Sequence, residues 1–207
     1  MPTYKLSYFE GQGLGEVSRQ LLHLSETPFE DDRISQEDWP KRKDSMPFAK
    51  LPVLFVDGKP LPQSLAIARY LANQFGFAGK TPFESAWVDA LGDQFKDYFS
   101  EMVPYFMALG GDNEEEKSRL QLEVAEPAIN KFFSILEKRA KDNGSNGHFV
   151  GDSITWIDIL ISDHMGVGEK YFPNAYAAFP TVLALREGTV SLPKLKEWIE
   201  QRPVTPY

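Results

Sequence analysis

The feature that most constrains the fold is a proline at the start of an apolar, β-branched run. Residues 51–56 read LPVLFV, which predicts a buried strand, yet Pro52 has no N–H to donate to a strand ladder. A cis Leu51–Pro52 peptide is one solution, since X-Pro bonds adopt the cis form at modest cost. It would turn the backbone N–H and C=O of Leu51 outward, where a peptide-like ligand could pair with them. In the alternative, Pro52 simply begins the strand.

The segments before this run alternate between strand and helix patterns. Residues 3–9 alternate apolar and polar side chains with the period of two that is typical of a strand. A glycine-rich turn at residues 11–15 follows, and then a helix with Glu16 in its first turn, where the helix dipole favours an acidic side chain. The charged stretch 28–34 predicts a short edge strand, and residues 35–48 predict an irregular or short helical connection.

A hairpin and a helix follow the proline. Asp57 and Gly58 favour a hairpin turn after Val56, because this pair tolerates positive φ. From Ser64 to near Gly76 apolar side chains recur with helical spacing. Ser64 is predicted to cap this helix, whose first amides and dipole can also hold a carboxylate. The predicted order is therefore strand, helix, strand, connection, strand, strand, helix.

The rest of the chain carries helix patterns almost alone. Thr81 and Glu84 form a predicted capping box with Pro82 at the first helical position, and the helix should run to about Met107. The next helix is predicted to run to about Lys141, with a bend near Pro127. A capping box of Thr155 and Asp158 is predicted to begin another helix that ends at about Tyr171. Two shorter helices are predicted within residues 179–198.

The change from mixed to helical patterns predicts a domain boundary at residues 77–81. An α/β domain is expected at residues 1–79 and an all-α domain at residues 81–207. A chain of 207 residues is long enough to bury substantial cores without disulfide or metal staples.

Composition excludes several classes of chemistry. The formal net charge of -8 argues against a general nucleic-acid binder. No run approaches the roughly 20 apolar residues of a membrane span, and the start has no signal-peptide pattern, so a cytoplasmic protein is expected. The 3 histidines lie far apart, so no metal site is expected. Cysteine is absent, so any sulfur chemistry must use a sulfur that the ligand brings.

Several segments, in order and spacing, resemble one known family. They are YKLSYFEGQGLGEVSRQLL, EDWPKRK, MPFAKLPVLFVDGKPLPQSLAIARYLANQFGFAGKTPFE, FVGDSITWIDILISDH and LPKLKEWIEQRPVTPY. Together they resemble cytosolic glutathione transferases of the sigma-like type common in nematodes, over essentially the whole chain. The resemblance implies a thioredoxin-like domain with a cis-proline, followed by an all-helical domain, and a homodimer. Glutathione would be a substrate, with no prosthetic group.

The resemblance implies that Tyr8, at the end of the first strand, is the catalytic residue. Its hydroxyl would donate to the sulfur of glutathione and favour the thiolate, which is the nucleophile. Without the surrounding motifs, Tyr8 would be interpreted as a packing aromatic on a strand.

The resemblance also implies a binding site for each part of glutathione. The cysteinyl backbone would pair with Leu51 beside Pro52, and the γ-glutamyl carboxylate would lie on the first amides of the Ser64 helix. The remaining implied contacts are Ala49 and Lys50 in the proline loop, Gln63 beside the serine, Trp39 and Lys43 (with Lys50) at the glycyl carboxylate, and Asp97 at the γ-glutamyl amine across a dimer interface. A surface charge is the alternative for Asp97, and a solvated loop for Lys41 and Arg42.

The chain departs from the family pattern in two places. Relatives often carry arginine within the glycine-rich turn, where this chain has Gln12 and Leu14, and Ala49 replaces a commoner glycine. The missing arginine predicts modest turnover or an altered acceptor preference.

The second substrate is expected to be a hydrophobic electrophile that lies between the first loop and the long helix. The predicted acceptor residues are Leu14, Phe99, Met102 and Tyr105. A core or interface role is the alternative for the aromatic residues of this helix, and at most half of them can face a pocket.

The expected function is conjugation of glutathione to hydrophobic electrophiles. A glutathione-dependent prostaglandin-type isomerase is the alternative within the enzyme class. Outside the enzyme class, the chain could serve as a weakly catalytic carrier of lipophilic ligands or have a purely structural role. The intact glutathione-site residues argue against the structural role.

Overall fold

The structure is a computed structural model that describes residues 2–205; residues 1, 206 and 207, the outer ends of the two expected domains, lie outside the described part. Four strands form one sheet: β1 (Tyr4–Phe9), β2 (Phe29–Ile34), β3 (Val53–Val56) and β4 (Lys59–Pro62). Their order is β2-β1-β3-β4; β2 runs parallel to β1, and the other pairs are antiparallel. The charged strand β2 lies at one edge, as its composition predicts.

Three helices accompany the sheet: α1 (Glu16–Leu24), α2 (Trp39–Arg42) and α3 (Ser64–Phe75). Short 3₁₀ turns cover Gly13–Gly15, Lys43–Ser45 and Pro47–Ala49. The predicted order of strand, helix, strand, connection, strand, strand, helix is confirmed. The hairpin turn is also confirmed, with φ of 48° at Asp57 and 77° at Gly58.

Helices make up the regular structure of the second half. They are α4 (Pro82–Leu109), α5 (Glu114–Leu120), α6 (Glu126–Asp142), α7 (Trp156–Tyr171), α8 (Pro180–Val190) and α9 (Pro193–Gln201). Both predicted capping boxes are present. Glu84 N donates to Thr81 Oγ1 at 3.1 Å, and Thr155 N donates to Asp158 Oδ2 at 2.7 Å.

The bend predicted at Pro127 is a π-helical turn, Gln121–Ala125, that ends just before the proline. A proline lacks the N–H that would bond to the carbonyl four residues earlier, so the regular ladder is interrupted on the N-terminal side of Pro127.

One hydrophobic cluster runs through both halves of the chain. It includes Leu6 and Leu21 beside the sheet as well as Phe132 and Trp156 among the later helices, all at most 1% exposed. A Cβ added to Gly92 of α4 would overlap with Trp156 Cη2, so glycine is needed for this close packing. Because the core is continuous, the boundary between residues 1–79 and 81–207 stays a prediction.

Candidate functional site

Tyr8 lies where the pairing of β1 with β3 ends. The last pair in that ladder is Ser7 with Val53, and the same register would next bring Tyr8 opposite Pro52. On its other side, Tyr8 pairs with Arg33 of β2. The side chain of Tyr8 is half-buried. The sheet therefore holds Tyr8 beside the proline that opens β3.

The glycine-rich turn closes over the Tyr8 ring. The backbone N–H of Leu14 donates to the Tyr8 hydroxyl oxygen at 3.0 Å, so this bond orients the oxygen without using its proton. A Cβ on Gly13 would lie 2.6 Å from that oxygen, and one on Gly15 would lie 2.5 Å from Tyr8 Cδ1. The glycine-rich turn was predicted, but its role was not: its glycines let the backbone reach the phenol.

The Leu51–Pro52 peptide is cis, which confirms that form over a plain strand start. Leu51 itself is half-buried and lies just before β3 begins. Phe48 and Ala49, immediately upstream, have φ of 59° and 48°. This left-handed conformation is costly for a side chain with a Cβ and suits the glycine that the family resemblance leads one to expect at position 49.

The start of α3 differs from the prediction in one respect. Gln63, not Ser64, is the N-cap, with φ 77° and ψ 115°, and Ser64 is the first helical residue. The chain reverses from β4 into the helix at this single residue, so Ser64 already has helical geometry. The Gln63 side chain makes no capping hydrogen bond, which suits an external carboxylate at the first amides of α3.

A cleft of about 400 Å³ separates the start of α3 from α4. It brings together four of the predicted site residues, Leu14, Gln63, Ser64 and Phe99. A cavity of about 480 Å³ on the sheet, beside Lys5 and Phe55, is lined by none of the predicted residues. The smaller cleft is therefore the candidate substrate cleft; Tyr8, Leu51 and Pro52 do not line it, and Tyr8 is joined to it through the amide of Leu14.

Two of the predicted acceptor residues lie in the core and do not line the cleft, so their role stays a prediction. Met102 is 1% exposed and Tyr105 is 3% exposed, and both belong to the hydrophobic core. They share the inner face of α4 with Phe95, because these positions are spaced by seven and three residues along the helix. On the neighbouring face, Phe99 reaches the cleft.

The basic residues after β2 fall into two groups. Lys41 pairs with Asp38 at 2.8 Å and Arg42 with Asp32 at 2.6 Å. Arg42 donates hydrogen bonds to Asp32, and these bonds are the largest of the effects that lower the pKa of the Asp32 carboxyl to about 2. Lys43 is exposed and forms no ion pair within residues 2–205.

The other predicted contacts of glutathione occupy three places. Trp39 begins α2 and packs edge-on against Phe9, with ring centroids 5.5 Å apart. Lys50, like Lys43, is exposed and forms no ion pair among the described residues, so both ammonium groups suit a carboxylate. Asp97 is exposed on α4 and does not line the cleft.

A buried ionic network that was not predicted from the sequence lies behind Tyr8. Glu16 is 0% exposed and accepts from Trp198 Nε1 at 2.6 Å and from Arg202 Nη1 at 2.8 Å. Burial opposes the ionised form of Glu16, but Arg202 and Arg19 bring its pKa below the usual value. Asp163 also accepts from Arg202, and burial, followed by the charge of Glu16, raises the pKa of Asp163 to about 6. The only local sign of this network in the sequence is that Glu16 and Arg19 lie three residues apart on α1.

Two family models match the chain. The model of the N-terminal domain of glutathione S-transferase matches residues 4–73, and that of the C-terminal domain matches residues 96–202. The chain belongs to the glutathione S-transferase family. It therefore has the glutathione transferase fold, in which a thioredoxin-like domain precedes an all-helical one, and it is a glutathione transferase that uses glutathione as a substrate without a prosthetic group.

Similarity to individual relatives extends over the full chain. Glutathione S-transferase 1 of Ascaris suum is 45% identical over 207 residues, with 100% of both chains covered. A Nu-class transferase from Haemonchus contortus is 47% identical, with a TM-score of 0.91 and 100% of both chains covered. A transferase of Necator americanus described as monomeric is 44% identical, with a TM-score of 0.94, over 99% of this chain and 100% of that one.

A solved structure with a different named activity is also similar. Prostaglandin synthase D of Nilaparvata lugens is 36% identical, with a TM-score of 0.89, over 98% of this chain and 100% of that one.

Two features are absent from residues 2–205. Within that range no cluster of three or more histidine or acidic residues is arranged to hold a metal ion. None of the helices described there combines the length and apolarity that crossing a membrane requires.

Proposed function

We propose that this transferase conjugates glutathione to hydrophobic electrophiles, with Tyr8 as the catalytic residue that stabilises the thiolate. The observation that carries the proposal is the hydrogen bond from the Leu14 amide to the Tyr8 hydroxyl oxygen, beside the cis Leu51–Pro52 peptide. The bond uses a lone pair of the phenol oxygen, whereas the phenol O–H is the donor that a sulfur anion requires.

The energetic demand on Tyr8 is modest. A thiol with a pKa of about 8.5 is only a few per cent ionised at pH 7. Lowering that pKa by about two units requires about 2.7 kcal/mol of preference for the thiolate over the thiol. A charge-assisted hydrogen bond in a partly buried site supplies energy of this order.

The remaining glutathione contacts are proposed on the geometry of two loops and a helix. The backbone of Leu51 lies outside the β1–β3 ladder and would pair with the cysteinyl unit, next to Ala49 and Pro52. The first turn of α3, with Gln63 and Ser64, would hold the γ-glutamyl carboxylate. Trp39, Lys43 and Lys50 would surround the glycyl carboxylate, with both lysines exposed.

The acceptor would enter the cleft between the glycine-rich turn and α4. Leu14, Phe95 and Phe99 supply the apolar lining of this cleft, with Phe95 only 2% exposed, and Arg69, Asp93 and Lys96 supply charged lining. An apolar wall of this kind suits a hydrophobic electrophile.

A homodimer is proposed as the functional assembly. Phe48 is 70% exposed and Phe83 is 74% exposed, which leaves apolar surface that a second subunit would cover. In the dimer, Asp97 of one subunit would reach the γ-glutamyl amine bound by the other. Sedimentation of the native chain and of Phe48→Ser tests this, because the variant should shift to monomer, and a native monomer would refute it.

The thiolate mechanism is tested by initial rates with glutathione and a chlorinated nitrobenzene. Tyr8→Phe should lower kcat/KM by about 100-fold, because a missing hydrogen-bond donor at a reacting anion typically costs this much. Tyr4→Phe is the matched control, since it removes a hydroxyl from the same strand, and it should keep native rates. Unchanged rates in Tyr8→Phe would refute the role of Tyr8, and native rates at background would refute the transferase activity.

The second candidate is a glutathione-dependent prostaglandin-type isomerase, which is favoured by the similarity to the prostaglandin synthase of Nilaparvata lugens. Isomerisation regenerates glutathione, whereas conjugation consumes it, so the thiol titre of the reaction mixture separates the two. Retention on immobilised glutathione without turnover of either substrate would instead indicate the weakly catalytic carrier.

The finer classification rests on sequence resemblance. We propose that the chain is sigma-like and acts in the cytoplasm. The similarity to a transferase named Nu-class keeps that class as the competing assignment.

A further inference from the structure

Three consecutive backbone carbonyl groups directly after Tyr8 accept hydrogen bonds from arginine side chains. Arg19 donates from Nη2 to the carbonyl oxygen of Phe9 at 3.1 Å and from Nη1 to that of Gly11 at 2.8 Å. The carbonyl oxygen between them, on Glu10, accepts from Arg33 Nη1 at 2.7 Å. The planar guanidinium has donors in a fixed geometry, so two of them restrict the course of this segment strongly.

Asp31 joins the two arginines to each other. Its Oδ1 accepts from Arg19 Nε at 2.8 Å and its Oδ2 accepts from Arg33 Nε at 2.7 Å. The Arg19 side chain is 0% exposed and that of Asp31 is 22% exposed. Glu16 accepts a further bond from Arg19 at 3.2 Å, so the buried cation faces two carboxylates. We call Arg19, Asp31 and Arg33 the arginine clamp.

The arginine clamp holds the segment that leads from Tyr8 into the glycine-rich turn. That turn returns the Leu14 amide to the Tyr8 hydroxyl. Arg19 also lies beside the phenol itself, with its Cζ 5.7 Å from the ring centroid. Arg33 is the register partner of Tyr8 in the parallel pair of strands.

We propose that the arginine clamp is the positioning device for Tyr8, which makes Arg19, Asp31 and Arg33 positioning residues for thiolate formation. The proposal rests on the function proposed above. Hydrogen bonds weaken steeply as their angle and length deteriorate, so a loosened turn would move the phenol oxygen away from the sulfur and raise the pKa of the bound thiol.

The test uses Arg33, because removal of the wholly buried Arg19 would leave Glu16 without one of its counter-charges and endanger folding. Arg33→Gln removes one bond to a carbonyl group and one to a carboxylate from a side chain that is 19% exposed. Arg186→Gln is the matched control: Arg186 also bonds one carbonyl group, on Ser162, and one carboxylate, Glu169, and is 21% exposed.

The decisive readout is the pKa of the thiol in bound glutathione, followed by the ultraviolet absorbance of the thiolate. Arg33→Gln should raise the pKa of the bound thiol by about 0.5 to 1 unit. At pH values below the thiol pKa it should lower kcat by about 3-fold to 10-fold, with KM for glutathione within about twofold of the native value. Arg186→Gln should leave the thiol pKa and kcat unchanged. Arg33→Gln and Arg186→Gln should each lower the thermal stability. A thiol pKa that is equal in the two arginine variants overturns the proposal, since loss of stability alone would then be the effect of Arg33.

A double-mutant cycle with Tyr8→Phe separates the arginine clamp from the function on which it rests. Because the clamp acts through the phenol, Arg33→Gln should shift the thiol pKa no further in the Tyr8→Phe background, and additive shifts would overturn it. A shift in Tyr8→Phe but none in Arg33→Gln overturns the arginine clamp alone. No shift in Tyr8→Phe overturns the role of Tyr8 and the clamp with it.

Discussion

Gly15 lies so close to Tyr8 that a Cβ on the glycine would be 2.5 Å from Cδ1 of the ring. Gly15→Ala should therefore push the phenol out of position and lower kcat/KM by at least about tenfold, with a loss of about 1 to 3 kcal/mol in the free energy of unfolding. Steady-state kinetics and denaturant titration measure the two effects. Gly188→Ala is the control, because nothing lies within 4 Å of the added Cβ on helix α8. It should stabilise the protein by about 1 kcal/mol without changing the kinetics.

Gln63 has a backbone conformation that favours glycine, with φ 77°. Gln63→Gly should raise the free energy of unfolding by about 0.5 to 1 kcal/mol, since it relieves this strain. It should also weaken glutathione binding by about tenfold, because the amide side chain is lost from the cleft. Calorimetric titration with glutathione and denaturant unfolding measure the two effects.

Gln74→Gly, on the exposed surface of α3, is the matched control for Gln63. It should lower the free energy of unfolding by about 1 kcal/mol at unchanged affinity. Equal affinity for glutathione in the native chain and in Gln63→Gly would contradict a binding role for Gln63.

Leu14 occupies the turn where the family resemblance leads one to expect arginine. Leu14→Arg should lower the pKa of the bound thiol by about 0.5 to 1 unit, because a cation in this partly buried cleft favours the thiolate. The backbone bond from residue 14 to Tyr8 is kept, since any residue there except proline has the same N–H. Absorbance titration at low and high salt measures the shift, which salt should reduce. Leu14→Gln, polar but uncharged, should show no shift, and an equal shift in both variants would refute the electrostatic explanation.

His164 should make the native state sensitive to acid. Burial lowers the pKa of His164 to about 4, and its Nε2 lies 3.0 Å from the Tyr98 hydroxyl. The unfolded chain, with a histidine pKa of about 6.5, binds this proton first, so the contribution to stability falls as the pH drops from about 6.5 to about 4. Asp163 acts in the opposite direction, because its pKa of about 6 lies above the unfolded value and favours the native state in acid.

A variant separates the effect of His164 from that of Asp163. Between pH 7 and pH 4, the native chain should lose about 3 kcal/mol more of its free energy of unfolding than His164→Phe loses. Denaturant titrations at several pH values measure it. Tyr98→Phe, which keeps the histidine, should follow the native pH dependence. Parallel curves for the native chain and His164→Phe would contradict this assignment.

The parts of the fold that were predictable from sequence depend on neighbours in the chain. The capping boxes at Thr81 and Thr155 and the turn at Asp57 involve residues at most three positions apart, and all are confirmed. For the peptide before Pro52 the sequence left both the cis and the trans form open, and the chain adopts the cis form.

The parts that sequence analysis missed depend on long-range packing. Aromatic and apolar residues occur on more than one face of α4, so its periodicity did not show that Met102 and Tyr105 face the core. Arg19 meets Asp31 only because β2 pairs with β1 and returns beside α1. Such contacts have no local sequence pattern, because only the fold brings the residues together.

The bonds from Trp198 and Arg202 to Glu16 join residues that are 182 and 186 positions apart. During synthesis, the ribosome releases the sheet long before it has made these two donors. Until then, the carboxylate of Glu16 has to stay hydrated, and α1 cannot bury it fully. The end of α9 and the residues just after it therefore complete the packing behind β1, and loss of residues 198–205 should leave a protein that forms its sheet but fails to close around it.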